Sequence, residues 1–220
     1  MEKTVESVNV KKAKQAYDDL LKLGQIATQF ARVDRNPRYQ DNRRESDVEH
    51  SFHLMLSATE LAADYYSDLD SGLVSQFSAV HDLPEYYTGD TWSFNISDKD
   101  RLAKELAEKK AVDRLLEELP PYTAQLLKRY EEQVEPEARF VRFVDKLMPE
   151  IIRVIASEVS TFEKDNNISS LEELTAIHDN NTSKYQEMFP EFDLVHLIRE
   201  LIIEASTDKC ILKRNQSDKT

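Results

Sequence analysis

Glycine is almost missing from this chain: only Gly24, Gly72 and Gly89 occur in 220 residues. Neither G-x-x-x-x-G-K nor G-x-G-x-x-G can be written with them, which excludes the loops that cradle phosphates with backbone N–H groups. Cysteine is scarcer still. Cys210 stands alone, so an internal disulfide, a C-x-x-C pair and a thiolate metal site are all excluded. The first residues, "MEKTVESVNVKKAKQAY", lack the apolar core of a signal peptide, and no apolar run approaches the length of a membrane span. A cytoplasmic protein without a membrane partner is the expectation. Positive charge is also short, with 29 Lys and Arg against 42 Asp and Glu, a formal net charge of −13. That balance argues against a nucleic-acid polymer as partner, because phosphate contacts need clustered cations.

What is present is an ordinary globular composition, 40% hydrophobic and 32% charged, long enough for one domain over 1–220 with a real core. One stretch opposes the acidic average. Residues 32–44, "RVDRNPRYQDNRR", hold five arginines against two aspartates, a local excess suited to a small anionic ligand, or equally to a solvated loop pairing with an acidic surface.

The pattern predicts helices nearly throughout. The first spans 8–31, with Val10, Ala13, Tyr17, Leu20, Leu21, Gln25 and Thr28 tracing one face. A second begins near Ser46, where Ser46 and Glu49 form an S-x-x-E capping box, and a third covers 71–82 and ends before Pro84. "TGDTWSFN" reads as a loop, and further helices are expected over 98–118, 121–133, 137–164, 170–188 and 193–206, with the tail from about 207 frayed. No period-2 strand stands out. The fold class is all-α.

Chemistry is sought among polar residues that occupy apolar positions. His50 falls in the first turn of the second helix, His81 on the apolar stripe of the third, and Asp145 at the edge of the apolar sector of "RFVRFVDKLMPEIIRVIA". A buried carboxylate is costly unless paired or bound to a metal. Two imidazoles with Asp82 and Asp145 make a reasonable donor set for a first-row divalent ion. Neighbours on a helix point about 100° apart, so His81 and Asp82 converge only if the chain unwinds before Pro84. Each residue alone has a plainer reading, as a hydrogen-bonded core histidine or a capping carboxylate. The plainer readings weaken when all occur in one order.

That order is Arg43, Glu45, Glu49 and His50 in "RRESDVEHS", then "HDLPEYYTGD", then "FVDKLMPE". It resembles the HD-domain metal-dependent phosphohydrolases, and within them the 5′-deoxynucleotidases, over about residues 35–150. The resemblance implies a helical bundle in which His50, His81, Asp82 and Asp145 bind one divalent transition metal ion, with cobalt or manganese ahead of iron, nickel or zinc. It implies Glu85 as the catalytic carboxylate, Arg35 as the phosphate contact and Asp90 as the group that reads the sugar. The implied substrate is a small nucleotide, a nucleoside 5′-monophosphate, and a homodimer is the candidate assembly. Asn36 departs from the pattern, which has tryptophan beside that arginine. Tyr86, Tyr87, Trp92 and Phe94 are candidates to stack on a base or to pack the helices. Two alternatives stand beside this reading. One is an HD-type hydrolase of a triphosphate or of guanosine tetraphosphate, the latter disfavoured by Glu85-Tyr86 where Glu-Asp is typical. The other is a non-enzymatic helical protein stabilised by its metal.

Overall fold

The computed structural model describes residues 2–90, 98–156, 168 and 170–217. Helix α1 (Glu2–Phe30) leads into a short antiparallel ribbon of β1 (Asp34–Arg38) and β2 (Arg44–Ser46), followed by α2 (Asp47–Tyr65), α3 (Ser71–Val80) and the single-turn α4 (Glu85–Thr88). Then come α5 (Asp98–Glu118), α6 (Pro121–Glu132), α7 (Pro136–Asp145), α8 (Met148–Ala156), α9 (Leu171–Met188) and α10 (Asp193–Ser217).

The core is built where α3 lies against α2, α6 and α7. Leu54, Ala58 and Ala62, spaced by four along α2, turn one face inward, where they join Val74 and Phe77 of α3, Leu127 of α6, and Phe140, Val141 and Val144 of α7, all fully buried. Small residues on α2 let the neighbouring backbone approach, and the aromatic side chains fill the depth between helices. Phe143 stacks on Phe189 at 4.9 Å between ring centroids, which ties the end of α9 to α7. Asp70 caps α3 by accepting from the Leu73 N–H at 3.1 Å, while its own N–H donates to Glu137 at 3.0 Å.

Two prolines decide where the helices that carry the site stop. A proline inside a helix lacks the N–H for the carbonyl four residues back and clashes with it. Four residues before Pro84 is Val80, the last residue of α3; four residues before Pro149 is Asp145, the last residue of α7. Beyond each end the chain tightens to three-residue spacing, with Leu83 N–H on Val80 at 3.2 Å and Lys146 N–H on Phe143 at 3.0 Å. The expected third helix over 71–82 is thus shorter by two residues. The expected helix over 137–164 is two helices, with residues 157–164 outside the described residues.

Other expectations need correction. The ribbon was not anticipated, because "DRNPR" and "RES" place charges where strands usually alternate apolar residues and Pro37 sits inside β1. Register pairs Asp34 with Ser46 and Arg38 with Arg44, so β1 takes four steps where β2 takes two, and the irregularity falls between Asp34 and Arg38, the span that holds Arg35. Bulges of this kind re-aim side chains. Asn42, at φ 66°, turns the ribbon, a conformation that asparagine tolerates. The expected buried face of α1 is largely exposed: Tyr17 is 60% and Leu20 69% accessible, and Ile26 and Phe30 make the helix's contribution to the core instead. Helix α1 begins at Glu2 rather than 8, and α10 continues to Ser217, past the 206 expected. Among the described residues, no helix is long and apolar enough to cross a membrane.

Candidate metal centre

Three helix ends meet at one point. His50 projects from the first turn of α2, which begins on the expected capping box: Glu49 N–H donates to Ser46 Oγ at 3.3 Å and Ser46 N–H to Glu49 at 3.0 Å. His81 is the cap residue after α3, with Asp82 in the tightened turn before Pro84, and Asp145 closes α7. His81 keeps helical dihedrals (φ −59°, ψ −39°), and at this proline-limited helix end its Nε2 still meets the carboxylate of the neighbouring Asp82 at 2.9 Å.

The four donors converge tightly. His50 Nε2 lies 3.2 Å from His81 Nε2 and 2.9 Å from Asp145 Oδ1. His81 Nε2 lies 2.9 Å from Asp82 Oδ2, and the longer diagonals are 3.6 Å and 3.8 Å. One donor atom from each of the four residues falls within 4.8 Å of the others. Two nitrogens each about 2.1 Å from one ion and at right angles would stand about 3.0 Å apart, so the observed spacing fits a shared cation. The chemistry of the set agrees, since imidazole nitrogen and carboxylate oxygen suit first-row divalent ions.

A hydrogen bond behind His81 fixes its orientation. His81 Nδ1 sits 2.9 Å from the Ser78 carbonyl oxygen, so Nδ1 carries the proton and Nε2 presents its lone pair to the centre. Glu45 Oε2 lies 3.7 Å from His50 Nδ1 on the far side of that ring. Burial and the Arg35 charge push His50 down to about 4, leaving it neutral as a ligand must be. For His81 burial also opposes the charge, yet Asp82 outweighs it and raises the imidazole, a proton that a bound cation would displace. Burial works against the charge of Asp145, but Lys146, His50 and His81 outweigh it and hold the carboxylate well below its ordinary range. The Lys146 Nζ is 2.6 Å from Asp145 Oδ2.

Arg35 enters from β1. Its Nη1 lies 2.7 Å from Asp82 Oδ2, 3.2 Å from Asp47 Oδ1 and 3.5 Å from Glu85 Oε2, and its Nε lies 3.7 Å from Glu45 Oε2. Burial disfavours the guanidinium charge, but Asp82, Glu85, Asp145 and Asp90 together outweigh it and raise the group above its ordinary value. Asp47, Asp82 and Glu85 also form a compact carboxylate group, and the guanidinium is already the cation lodged among them. Glu85, first residue of α4, is raised well above the ordinary carboxylate range by burial and then by Asp82 and Asp47. Gly89 ends α4 at φ 67°, a conformation that favours glycine, and turns the chain so that Asp90 accepts from the Asn36 backbone N–H. Burial raises Asp90.

All seven residues expected for the site thus gather around one centre. Glu45 and Asp47, both fully buried, were not among them. Tyr86 and Tyr87 pack against the core and one another at 4.6 Å, and Arg114 covers the Tyr87 ring at 4.0 Å, so for these two the packing role holds. Trp92 and Phe94 lie outside the described residues. Arg43 braces α2 through Glu49, with two contacts of 2.8 Å.

A mainly helical protein with two histidines and two aspartates converging at helix ends defines a class. Residues 28–189 match the family model of the HD domain, and the chain belongs to that family. Among solved structures it is similar to one described as a predicted metal-dependent phosphohydrolase from Magnetospirillum magnetotacticum MS-1. The TM-score is 0.64 at 23% identity, covering 87% of this chain and 94% of that one; at that identity the likeness speaks for the fold. No curated protein matches this chain.

Proposed function

We propose that the protein is a divalent-metal-dependent phosphohydrolase acting on nucleoside 5′-monophosphates, deoxy forms preferred, and releasing nucleoside and phosphate. The observation that carries the reading is the convergence of four metal-type donors with the buried Arg35 guanidinium and the Glu85 carboxyl beside them. An ion held by His50, His81, Asp82 and Asp145 supplies charge to a phosphoryl oxygen and lowers the pKa of a water. Arg35 holds non-bridging phosphate oxygens in place and stabilises the charge that spreads over them. Glu85, whose carboxyl is raised beside it, can in its protonated form give a proton to the leaving 5′-oxygen. Asp90, tied to the Asn36 backbone next to Arg35, is the group assigned to the sugar, from whose 3′-hydroxyl it can accept a hydrogen bond. A single metal, one arginine and a surface at −13 suit a terminal monophosphate better than a long polyanion. A cytoplasmic setting is part of the same reading.

The test is phosphate release from a panel of ribo- and deoxyribonucleoside mono-, tri- and tetraphosphates with manganese, cobalt and magnesium. Turnover of deoxynucleoside monophosphates ahead of the rest is expected. Turnover of a triphosphate or tetraphosphate with none of the monophosphates would overturn the substrate and leave the centre standing.

A further inference from the structure

Asp47 has no place in the four-donor set, yet its carboxylate is completely buried in the first turn of α2, where acids ordinarily face water near the positive helix end. Its backbone N–H donates to the Val33 carbonyl at 3.1 Å, which anchors it to the residue that leads into β1. Its Oδ1 takes Arg35 Nη1 at 3.2 Å, and a carboxylate oxygen of Asp47 lies within 4.8 Å of one of Glu85. Arg35 and Glu85 are themselves 3.5 Å apart. Outside the four donors, Asp47 is the described side chain that adjoins both groups proposed to handle the phosphate. Glu45 reaches Arg35 alone of the two, at 3.7 Å.

We propose that Asp47 is a positioning residue, which fixes the guanidinium of Arg35 and the carboxyl of Glu85 side by side next to the four donors; this rests on the function proposed above. The need for it follows from the competing contacts. Arg35 Nη1 is closest to Asp82 Oδ2, at 2.7 Å. Without Asp47 the guanidinium loses its second anchor and settles onto Asp82, away from an incoming phosphate. Glu85 loses its neighbour in the same event. A phosphate then meets neither group in register, and misplacement by about 1 Å suffices for a roughly hundredfold loss.

The test compares wild type with Asp47→Ala, Asp47→Asn, Arg35→Ala and the Arg35→Ala/Asp47→Ala double variant, all manganese-loaded. Metal content, deoxynucleotide hydrolysis, and calorimetric binding of inorganic phosphate are measured. For Asp47→Ala the expected result is an unchanged metal content, with kcat/KM down about a hundredfold and both KM and kcat affected. The isosteric Asp47→Asn keeps an acceptor for Arg35 and recovers about tenfold of that loss. Phosphate binding weakens at least about tenfold in Asp47→Ala, and the double variant binds no worse than Arg35→Ala, because one interaction is being removed twice. A merely structural acid would lower the melting temperature without this non-additivity. Wild-type phosphate affinity in Asp47→Ala, or additive losses in the double variant, would overturn the proposal alone. Should Asp47→Ala not fold, wild-type affinity in Asp47→Asn would do so. A wild-type protein that binds no phosphate would overturn it together with the function on which it rests.

Discussion

Replacing Asp145 by asparagine should erase most of the stability that a divalent ion confers on this protein. Asp145 is 8% exposed, its Oδ1 is 2.9 Å from His50 Nε2, and its charge is the one α7 contributes to the centre. Asparagine keeps the volume and a carbonyl oxygen but gives up the anion, and it deprives Lys146 of a carboxylate 2.6 Å away. At a free metal concentration of about one hundred times Kd, binding adds about 2.7 kcal/mol to the folded state. For a chain of this length that corresponds to a rise in Tm of about 5–11 °C. If the variant binds about a hundredfold more weakly, the same metal concentration adds about 0.4 kcal/mol, or about 1–2 °C. The assay is thermal denaturation of chelator-treated wild type and Asp145→Asn, each with and without manganese, at equal protein concentration. A variant whose melting temperature rises as far as that of the wild type would refute the assignment of Asp145.

Glu85→Gln keeps the shape of the side chain but removes its proton donor, so kcat should fall about a hundredfold or more while one metal per chain stays bound; steady-state kinetics beside elemental analysis checks both halves. Glu49 is held down to about 2, first by its bond to Arg43, from an ordinary value of 4.5. Its depressed carboxyl contributes stability that is present above 4.5 and lost as pH falls towards 2, so urea unfolding should separate wild type from Glu49→Gln at pH 6 and bring them together near pH 2. Phe140 of α7 is fully buried, with its ring 5.0 Å from that of Tyr66 and 5.2 Å from that of Phe192 between centroids, and Phe140→Ala should cost about 3–5 kcal/mol in the same urea experiment; a loss under about 1 kcal/mol would contradict the packing described.

The site was legible in the sequence to the extent that its residues violate their surroundings. His50, His81 and Asp145 are polar groups at apolar positions, and such positions carry a cost that only a partner removes. Asp47 and Glu45 carried no such signal, since acids at a helix start are already accounted for by the helix end. Only the folded chain shows that both point inward, towards Arg35. Pro149 was a readable signal that pattern alone passed over: the run "RFVRFVDKLMPEIIRVIA" is apolar enough on both sides of it to read as one helix, yet the missing N–H at Pro149 places the break at Asp145. The ribbon around Arg35 was hidden for the opposite reason. Its strands are short and charged, and its irregular register, not a period-2 pattern, aims the arginine. The face of α1 failed because periodicity reports that a helix has two sides, without saying that a second element covers the apolar one.

The central claim is that one ion in the His50–His81–Asp82–Asp145 cluster is required for phosphoester hydrolysis. It is tested most directly by titrating chelator-treated protein with manganese while following phosphate release from a deoxynucleoside monophosphate. Activity should be absent at the start, rise in proportion to added metal and level off at one equivalent per chain, with His81→Ala inactive throughout. Full activity in the metal-free protein, or a titration that His81→Ala follows as the wild type does, would contradict it.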